Sequence, residues 1–306
     1  MRKILLTLLK AIFGVVLLVI LLNYVGFNEV YSVLKQIKLK FVPLMFCFYT
    51  LNFLIGALNI YILLKPLNAK IGFLKLFRYY MLSWSVGLFV PGKIGEFSLV
   101  LFLKRDRVSV GEGMAITLID KMTTMIVLSA IAILGFLVFF TPMHTVKLAV
   151  ILIGGCLVVL FLVVSELSRG FIKKYILRGY AKRFSGFSRT FFRYFKKEKK
   201  VVLANFFITV AKWVISSMIV YSAFMLFTQE APRITDIILI SGIVSISALL
   251  PLTISGLGVK ESIAVFMYSL VGVKASVTAG VYLVLLVVCY LTAAVMISSS
   301  IDIIRP

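Results

Sequence analysis

Long apolar runs alternate with short polar segments along this chain, and their lengths predict membrane-spanning helices. A helical span needs about 20 predominantly apolar residues. Six uninterrupted runs reach or approach that length, at 4–25, 41–64, 113–140, 147–165, 201–228 and 276–299. Two further apolar regions, 76–103 and 236–270, are interrupted by proline and glycine. The pattern therefore predicts an all-α polytopic membrane protein with about six full transmembrane helices and two broken hairpins.

The interruptions contain residues that end helices. The first lies in the stretch FVPGKIGEFSLV, where proline and glycine disfavour a continuous helix and charged side chains are costly in hydrocarbon. Each interrupted region is expected to form two short helices that meet at a break surrounded by protein, because lipid cannot satisfy unpaired backbone groups. The residues predicted to form the breaks are Pro91, Gly92 and Gly95 in the first region and Pro251, Gly256 and Gly258 in the second.

Basic residues predict the orientation of the spans. Positively charged loops face the cytoplasm, which places the basic N-terminus and the segment 167–200 on that side. Counting spans between these points makes both broken regions re-entrant, with 76–103 opening to the cytoplasm and 236–270 to the outside. The last span then returns to the cytoplasm. We therefore predict a multi-pass protein of the cell membrane with both termini in the cytoplasm.

The two broken regions align with each other as an internal repeat. When Glu96 is placed on Glu261, a break, a glutamate, a short helix, a loop and a long helix recur in the same order. The predicted halves are 41–140 and 201–299, within a single membrane domain that covers 1–306. Halves of opposite topology are typical of secondary transporters, whose sites lie where broken helices meet. The alternative is a pair of unrelated interfacial hairpins.

Composition and charge agree with a membrane protein. Hydrophobic residues make up 62% of the 306 residues, whereas a soluble domain has about 45–50%. The net charge of +22 is concentrated, since twelve of the 33 basic residues lie in 167–200 among Phe, Tyr and Ile. We predict that this segment is a basic amphipathic cytoplasmic helix that contacts anionic lipid, or else a solvated loop that fixes orientation. Because no nucleic-acid-binding motif accompanies the charge, we expect no nucleic-acid partner.

The residues that usually bind metals or act as nucleophiles are scarce. The three cysteines lie at unrelated positions in apolar runs, and His144 is the single histidine. We therefore expect no metal site, no cofactor and no catalytic residues of the usual hydrolase types. The chain also has no GxxxxGK[ST] sequence, so we expect that it does not use ATP itself.

Charged residues within apolar segments are the candidate site. Ionisable groups at membrane depth usually face a cavity and mark a binding or transport function. We expect the lysines to bind an anionic head group, and Glu96 and Glu261 to neutralise them or to carry a proton. Alternatively, the Lys–Glu pairs only join the hairpins to the bundle. The candidates are Lys93, Glu96, Asp120, Lys121, Lys212, Lys260 and Glu261.

Asp120 and Lys121 are adjacent on one predicted helix. Neighbouring helical residues point about 100° apart, so these two side chains cannot fully face each other. At least one of them therefore needs another partner. The candidate partners are Glu96 for Lys121 and Lys93 for Asp120. Alternatively, the side chains of Asp120 and Lys121 extend to the membrane interface.

These motifs resemble a known family, the lysylphosphatidylglycerol synthase transmembrane region, also described as a flippase-like domain. That family has a P-G-[RK]-x-G-E element, matched here by 91–96, followed by an acidic-basic pair, matched by Asp120–Lys121. Its second half has a P-x-x-x-x-G-x-G-x-x-E element, matched here by 251–261. The resemblance covers nearly the whole chain. Family members often have a further acid where this chain has Thr123–Thr124, so a role for that acid does not carry over.

The resemblance implies a lipid-handling function. In multiple peptide resistance factor proteins, a soluble domain transfers lysine from tRNA to phosphatidylglycerol, and the membrane region is proposed to flip the product. Because this chain ends at Arg305–Pro306, soon after its last span, we expect no aminoacyl transfer. We expect a lipid translocase that moves a phospholipid or lipid-linked head group between leaflets.

Two other functions stay open at this point. The chain is alternatively a non-transporting membrane partner of a separate lipid-modifying or glycosylating enzyme, or, as a third reading, a membrane-embedded lipid transferase. The expected partners are membrane lipids with charged head groups. The resemblance leaves room for a homodimer and for a separate lipid-modifying enzyme as partner.

Overall fold

A computed structural model of the chain describes residues 2–165, 186–228, 231–249, 252–300 and 303. Within these residues the secondary structure is helical throughout, and no strand is present. The α-helices are α1 (Arg2–Val25), α2 (Phe27–Leu34), α3 (Val42–Leu64), α4 (Phe73–Leu88), α5 (Leu99–Lys104), α6 (Val110–Phe139), α7 (Pro142–Val164), α8 (Phe187–Lys196), α9 (Lys199–Met225), α10 (Ile234–Ser247), α11 (Val259–Ser269) and α12 (Ala275–Ser298).

Five stretches of helix in the described part of the chain are long and apolar enough to cross a membrane. They contain α1, α3, α6, α9 and α12. The prediction of a polytopic all-α membrane protein is therefore confirmed. Each of the six predicted spans coincides with a helix. The predicted span that is not among these five corresponds to α7, which has a shorter apolar stretch, Pro142–Val158. The number of crossings and the re-entrant course of the hairpins stay predictions.

The helices end at both predicted interruptions. Between α4 and α5 the chain forms a 3-10 helix, Pro91–Ser98, which we call the first break. Between α10 and α11 lies a shorter 3-10 helix, Ile254–Gly256, which we call the second break. Gly256 and Gly258 adopt φ angles of 76° and 77°, in the left-handed region that glycine tolerates. The two breaks lie against each other, so the two interruptions meet in the fold.

Some predicted residues fall outside what the structure describes. Pro251 is one of them, as are the side chains of Pro91 and Lys93. The pairing of Lys93 with Asp120 therefore stays a prediction. The basic segment is described only from residue 186 onward, where α8 is amphipathic. In α8, Phe191 and Tyr194 are buried while Arg189 and Lys196 are exposed. The Tyr194 hydroxyl donates to the carbonyl of Leu63, and burial raises the pKa of Tyr194 above its ordinary value.

Two hydrophobic clusters form most of the core. The first joins α3, α4, α5 and α6 with the buried face of α8. The second joins α9, α10, α11 and α12, with contributions from α3 and α6. Side chains of both clusters reach a cavity described below, including Phe53 and Tyr80 from the first and Ile219 from the second.

Polar contacts fix the beginning of α4. The Lys75 ammonium lies 2.6 Å from Asp106 Oδ1, and the Tyr79 hydroxyl donates to Asp106 Oδ2 at 2.8 Å. Arg78 donates to the carbonyl of Ser299 at 3.3 Å, which ties the same end of α4 to the end of α12. These contacts hold the hairpin ends in place relative to the long helices.

The first break folds tightly against α4, and Gly95 is the closest point. A Cβ at Gly95 would lie 2.6 Å from the carbonyl oxygen of Val86, a backbone atom that cannot rotate away. We expect Gly95→Ala to destabilise the protein by about 2 kcal/mol, within the range for an overpacked core, and to shift Glu96. Thermal unfolding of purified protein in detergent measures this. The matched control is Gly154→Ala, where a Cβ meets nothing within 4 Å; equal stability of the two variants would contradict the close packing.

Candidate functional site

A cavity of about 450 Å³ lies among the long helices, beside the first break. Its lining comes from α3, α4, α6, α9, α10 and α12 together with Glu96 and Phe97 of the first break. Much of the wall is aromatic, and Tyr49, Phe53 and Trp84 pack edge to face with centroids 4.7–6.4 Å apart. Both tryptophans of the chain, Trp84 and Trp213, line it. A largely apolar pocket with a few polar groups is the usual form of a small-molecule site.

Lys121 joins the cavity to the first hairpin, which consists of α4, the first break and α5. Its ammonium makes an ion pair with the Glu96 carboxylate and also lies 3.3 Å from Asp120 Oδ2. The exposed fractions of the three side chains are 25% for Lys121, 15% for Glu96 and 3% for Asp120. One lysine therefore compensates two acids, of which Asp120 is the more buried. The structure has the Glu96 partner that the sequence analysis expected for Lys121.

A buried network of hydrogen-bonded polar side chains holds Asp120 in place. Asn59 Nδ2 donates to Asp120 Oδ1 and to Thr209 Oγ1, each at 3.0 Å. Asn205 Nδ2 donates to Asn59 Oδ1 at 2.9 Å. The network links α6 to α3 and α9, and satisfied polar networks of this kind rigidify a core. Asp120 is thus held in place on a long helix, whereas Glu96 lies on the first break.

Lys212 is the second cation of the cavity. Its ammonium lies 5.7 Å from the centroid of the Tyr80 ring, within the range of a cation–π contact. Its backbone carbonyl accepts a hydrogen bond from Asn52 Nδ2 at 3.2 Å. Among the residues that the structure describes, no carboxylate lies within 4 Å of this ammonium. Lys212 is therefore the lysine best placed to receive an anion.

Close packing positions Glu96 on the hairpin. The Ser83 hydroxyl of α4 donates to the backbone carbonyl of Glu96. Gly87, one turn further along α4, leaves room for the glutamate, since a Cβ there would lie 2.6 Å from Glu96 Cγ. The Glu96 side chain thus packs over Gly87 of α4 and reaches Lys121 of α6.

The family model described as "Lysylphosphatidylglycerol synthase TM region" matches residues 7–297. The chain belongs to this family. A search of curated proteins finds no match. The part of the chain that the structure describes has five helices long and apolar enough to span, so this member of the family is a multi-pass membrane protein.

The second hairpin consists of α10, the second break and α11. Its charged pair does not share the location of the charged residues of the first hairpin. Lys260 and Glu261 are not among the described residues that line the cavity. Glu261 is buried, and its Oε2 accepts a hydrogen bond at 2.7 Å from the backbone N–H of Gly258, at the start of α11. A glutamate three residues into a helix commonly caps it in this way. The contact that the structure gives Glu261 is thus a helix cap.

The cap predicts how Glu261 responds to substitution. Glu261→Ala removes the acceptor of a buried N–H, and we expect a loss of about 1–3 kcal/mol of stability. Glu261→Gln keeps an acceptor oxygen, so we expect less than half of that loss. Thermal unfolding of the two variants measures the difference. Stability that falls equally in both would contradict the cap and favour a role for the charge itself.

Several residues of the site were not predicted as a group. Tyr and Trp in spans fit an aromatic belt as well as a site, so the aromatic wall has no clear sequence signal. Asn59 and Asn205 stand out as amides within apolar spans, but only the packing of α3 on α9 brings them to Asp120. In the described part of the chain, no group of three or more His, Cys, Asp or Glu side chains could hold a metal ion.

Proposed function

We propose that this protein is a lipid translocase in which the head group of a lipid passes through the cavity. The observation that carries the proposal is the cavity itself: about 450 Å³ inside a membrane protein, with an aromatic wall and with Lys121, Lys212 and Glu96 in its lining. Charged side chains at membrane depth are costly and are retained where they bind a ligand or ion. The membership in the lysylphosphatidylglycerol synthase transmembrane family supports the proposal.

The chemistry of the lining suits a phospholipid head group. A phosphate carries a negative charge and accepts hydrogen bonds from ammonium groups. Such charge-assisted hydrogen bonds are stronger than those between neutral groups. Lys212 lies over Tyr80 and offers such a group, with Lys121 in the same cavity. The apolar and aromatic surfaces suit the glycerol backbone and the beginning of the acyl chains. The acyl chains of the lipid remain in the bilayer, so only the head group has to pass through the cavity.

The two breaks supply a route for movement. They lie against each other, and Glu96 of the first break contacts the cavity lysine Lys121. In secondary transporters, sites at the meeting point of broken helices open alternately to the two sides. The ion pair between Lys121 and Glu96 joins the first break to α6, so its release would loosen one contact between them.

Leaflet exchange in proteoliposomes tests the proposal. We expect the purified protein to accelerate the exchange of fluorescent phospholipids, measured by dithionite quenching with several head groups side by side. Lys212→Met should slow exchange about tenfold or more, since a charge-assisted hydrogen bond contributes about 1.5–3 kcal/mol. The matched control is Lys260→Met, a lysine outside the described lining. Exchange at the rate of protein-free liposomes would overturn the proposal and favour a partner role beside a separate lipid-modifying enzyme.

A further inference from the structure

A short helix follows the first long helix of the chain, and its two faces differ. α2 begins after Gly26, where a φ of 95° separates it from α1. On the inner face, Val30 is buried in a cluster with side chains of α1, α11 and α12. On the outer face, Phe27 and Tyr31 are exposed, and Lys35 follows at the same four-residue spacing. One row of the helix surface therefore combines two aromatic rings with a cation.

Positive charge accumulates at the end of this row. Lys35, Lys38 and Lys40 lie within six residues, and residues 27–41, which we call the α2 segment, contain one acidic residue. The Lys35 ammonium lies 4.5 Å from the centroid of the Tyr31 ring. Within the part of the chain that the structure describes, no carboxylate lies within 4 Å of the three ammonium groups. The α2 segment thus carries an excess of positive charge.

The α2 segment and the basic helix α8 lie at opposite ends of the bundle. The backbone N–H of Lys38 donates to the carbonyl of Leu226 at 2.8 Å, directly after the end of α9, whereas α8 ends shortly before α9 begins. A helix of 27 residues, such as α9, is about 40 Å long, more than the hydrocarbon thickness of about 30 Å. α3 agrees, since it begins beside the α2 segment and ends beside Tyr194 of α8. In a bilayer crossed by α3 and α9, the two basic surfaces therefore lie at opposite interfaces.

This end of the bundle is adjacent to the cavity. Tyr49 is the first residue of α3 in the described lining, seven residues after Val42, where the helix begins. On α9, Ile219 of the lining lies seven residues before Leu226. Seven helical residues extend about 10 Å. Along both helices, the α2 segment is therefore near the cavity but separate from it.

Apolar side chains in the same segment favour lipid over an acidic protein as its partner. Phe27 and Leu39 are 64% and 73% exposed, next to helices that are long and apolar enough to span the bilayer. Such side chains are costly in water, whereas the boundary between acyl chains and head groups accommodates them. Lysine side chains extend from that boundary to the lipid phosphates, to which they donate charge-assisted hydrogen bonds.

We propose that the α2 segment binds the head groups of anionic phospholipids in the leaflet opposite α8, at a site distinct from the cavity. Lys35, Lys38 and Lys40 provide the ammonium groups, and the exposed rings of Phe27 and Tyr31 lie in the interface beside them. Each lysine near an anionic membrane surface adds to the attraction. The inference goes beyond the proposed function, because it concerns binding at this surface and does not require transport.

Quenching by brominated lipids tests binding at this surface. In a variant that keeps Cys47 as its single cysteine, an exposed residue in the second turn of α3, the thiol carries a bimane fluorophore. The protein is reconstituted in phosphatidylcholine nanodiscs that contain increasing fractions of brominated phosphatidylglycerol or, in parallel, of brominated phosphatidylcholine. We expect phosphatidylglycerol to reach half of its maximal quenching at a fraction about threefold or more below that of phosphatidylcholine. High salt should reduce this preference, because it screens exposed charges.

Matched variants assign the preference to the lysines. Replacement of Lys35, Lys38 and Lys40 together by glutamine should abolish the preference for phosphatidylglycerol, whereas replacement of all three by arginine should retain it, because arginine keeps the charge. The three side chains are exposed or half-buried, so we expect both variants to fold, and thermal unfolding checks this. Equal quenching by the two lipids in protein with all three lysines, or a preference that persists in the glutamine variant, would overturn the inference. Equal quenching would also favour an acidic protein as the partner of this surface.

The outcomes separate this inference from the proposed function. Lys212→Met, a change within the cavity, should leave the lipid preference at Cys47 unchanged while it slows leaflet exchange. Absence of leaflet exchange with an intact preference would overturn the translocase alone. A preference that disappears in Lys212→Met would assign the bound lipid to the cavity and overturn the separate site.

Discussion

Replacement of Lys121 by methionine is expected to stop lipid exchange and to destabilise the protein by about 2–3 kcal/mol. The change leaves Glu96 and Asp120 near each other without their shared cation. Removal of one partner of a fully buried ion pair costs about 3–5 kcal/mol, and we expect less here because the Lys121 side chain is 25% exposed. Thermal unfolding in detergent and dithionite-based exchange measure the two effects.

Paired variants distinguish loss of charge from loss of packing. Lys121→Arg keeps the cation and should retain most of the stability. The double variant Lys121→Met with Glu96→Gln also removes one acid, so it should be more stable than Lys121→Met alone, as expected for directly coupled groups. A double variant whose losses simply add would contradict the ion pair.

Replacement of Asn59 by leucine is expected to be the most destabilising single change in α3, by about 3 kcal/mol or more. Asn59 contacts Asp120, Thr209 and Asn205, all of them buried. Each buried polar group left without a partner costs about 1–3 kcal/mol. Because the same change releases Asp120, we also expect slower lipid exchange at temperatures where the variant is still folded.

The control for this change lies two turns earlier on the same helix. Asn52 lines the cavity and donates one hydrogen bond, to the backbone carbonyl of Lys212. Asn52→Leu should therefore cost about 1 kcal/mol of stability. Thermal unfolding of both variants measures the contrast, and an Asn52→Leu variant as unstable as Asn59→Leu would contradict the central position of Asn59 in the network.

The helices of this fold could be predicted because their signal is local. A run such as 276–299 is apolar for the length that a membrane requires, and the structure has α12 at Ala275–Ser298. The breaks could be predicted for the same reason, because proline and glycine disfavour a continuous helix at their own positions. The glutamate of the first break also indicated its partner, because Lys121 needed a contact beyond Asp120.

The rest of the site depends on which helices pack together. Nothing local to Asn59 indicates that it reaches Asp120 and Asn205 at once. The alignment of Glu96 on Glu261 treated both as cavity residues, yet the structure gives Glu261 a contact with Gly258 at the start of its own helix. The two aligned glutamates thus have different neighbours. Lys121 also lies within 3.3 Å of the adjacent Asp120, because a long, flexible side chain can bend back along the helix.

Reversible blocking of the cavity tests the central claim most directly. Cys289 lines the cavity, with its sulfur 3.5 Å from the Tyr49 hydroxyl, whereas Cys47 is exposed on the outer face of α3. In variants that keep only one of these cysteines, the thiol is modified with a methanethiosulfonate reagent, and modification is quantified by mass spectrometry. We predict that modification of Cys289 stops lipid exchange, that reduction restores it, and that modification of Cys47 has no effect. Undiminished exchange in protein fully modified at Cys289 would contradict the assignment of the cavity as the path of the lipid head group.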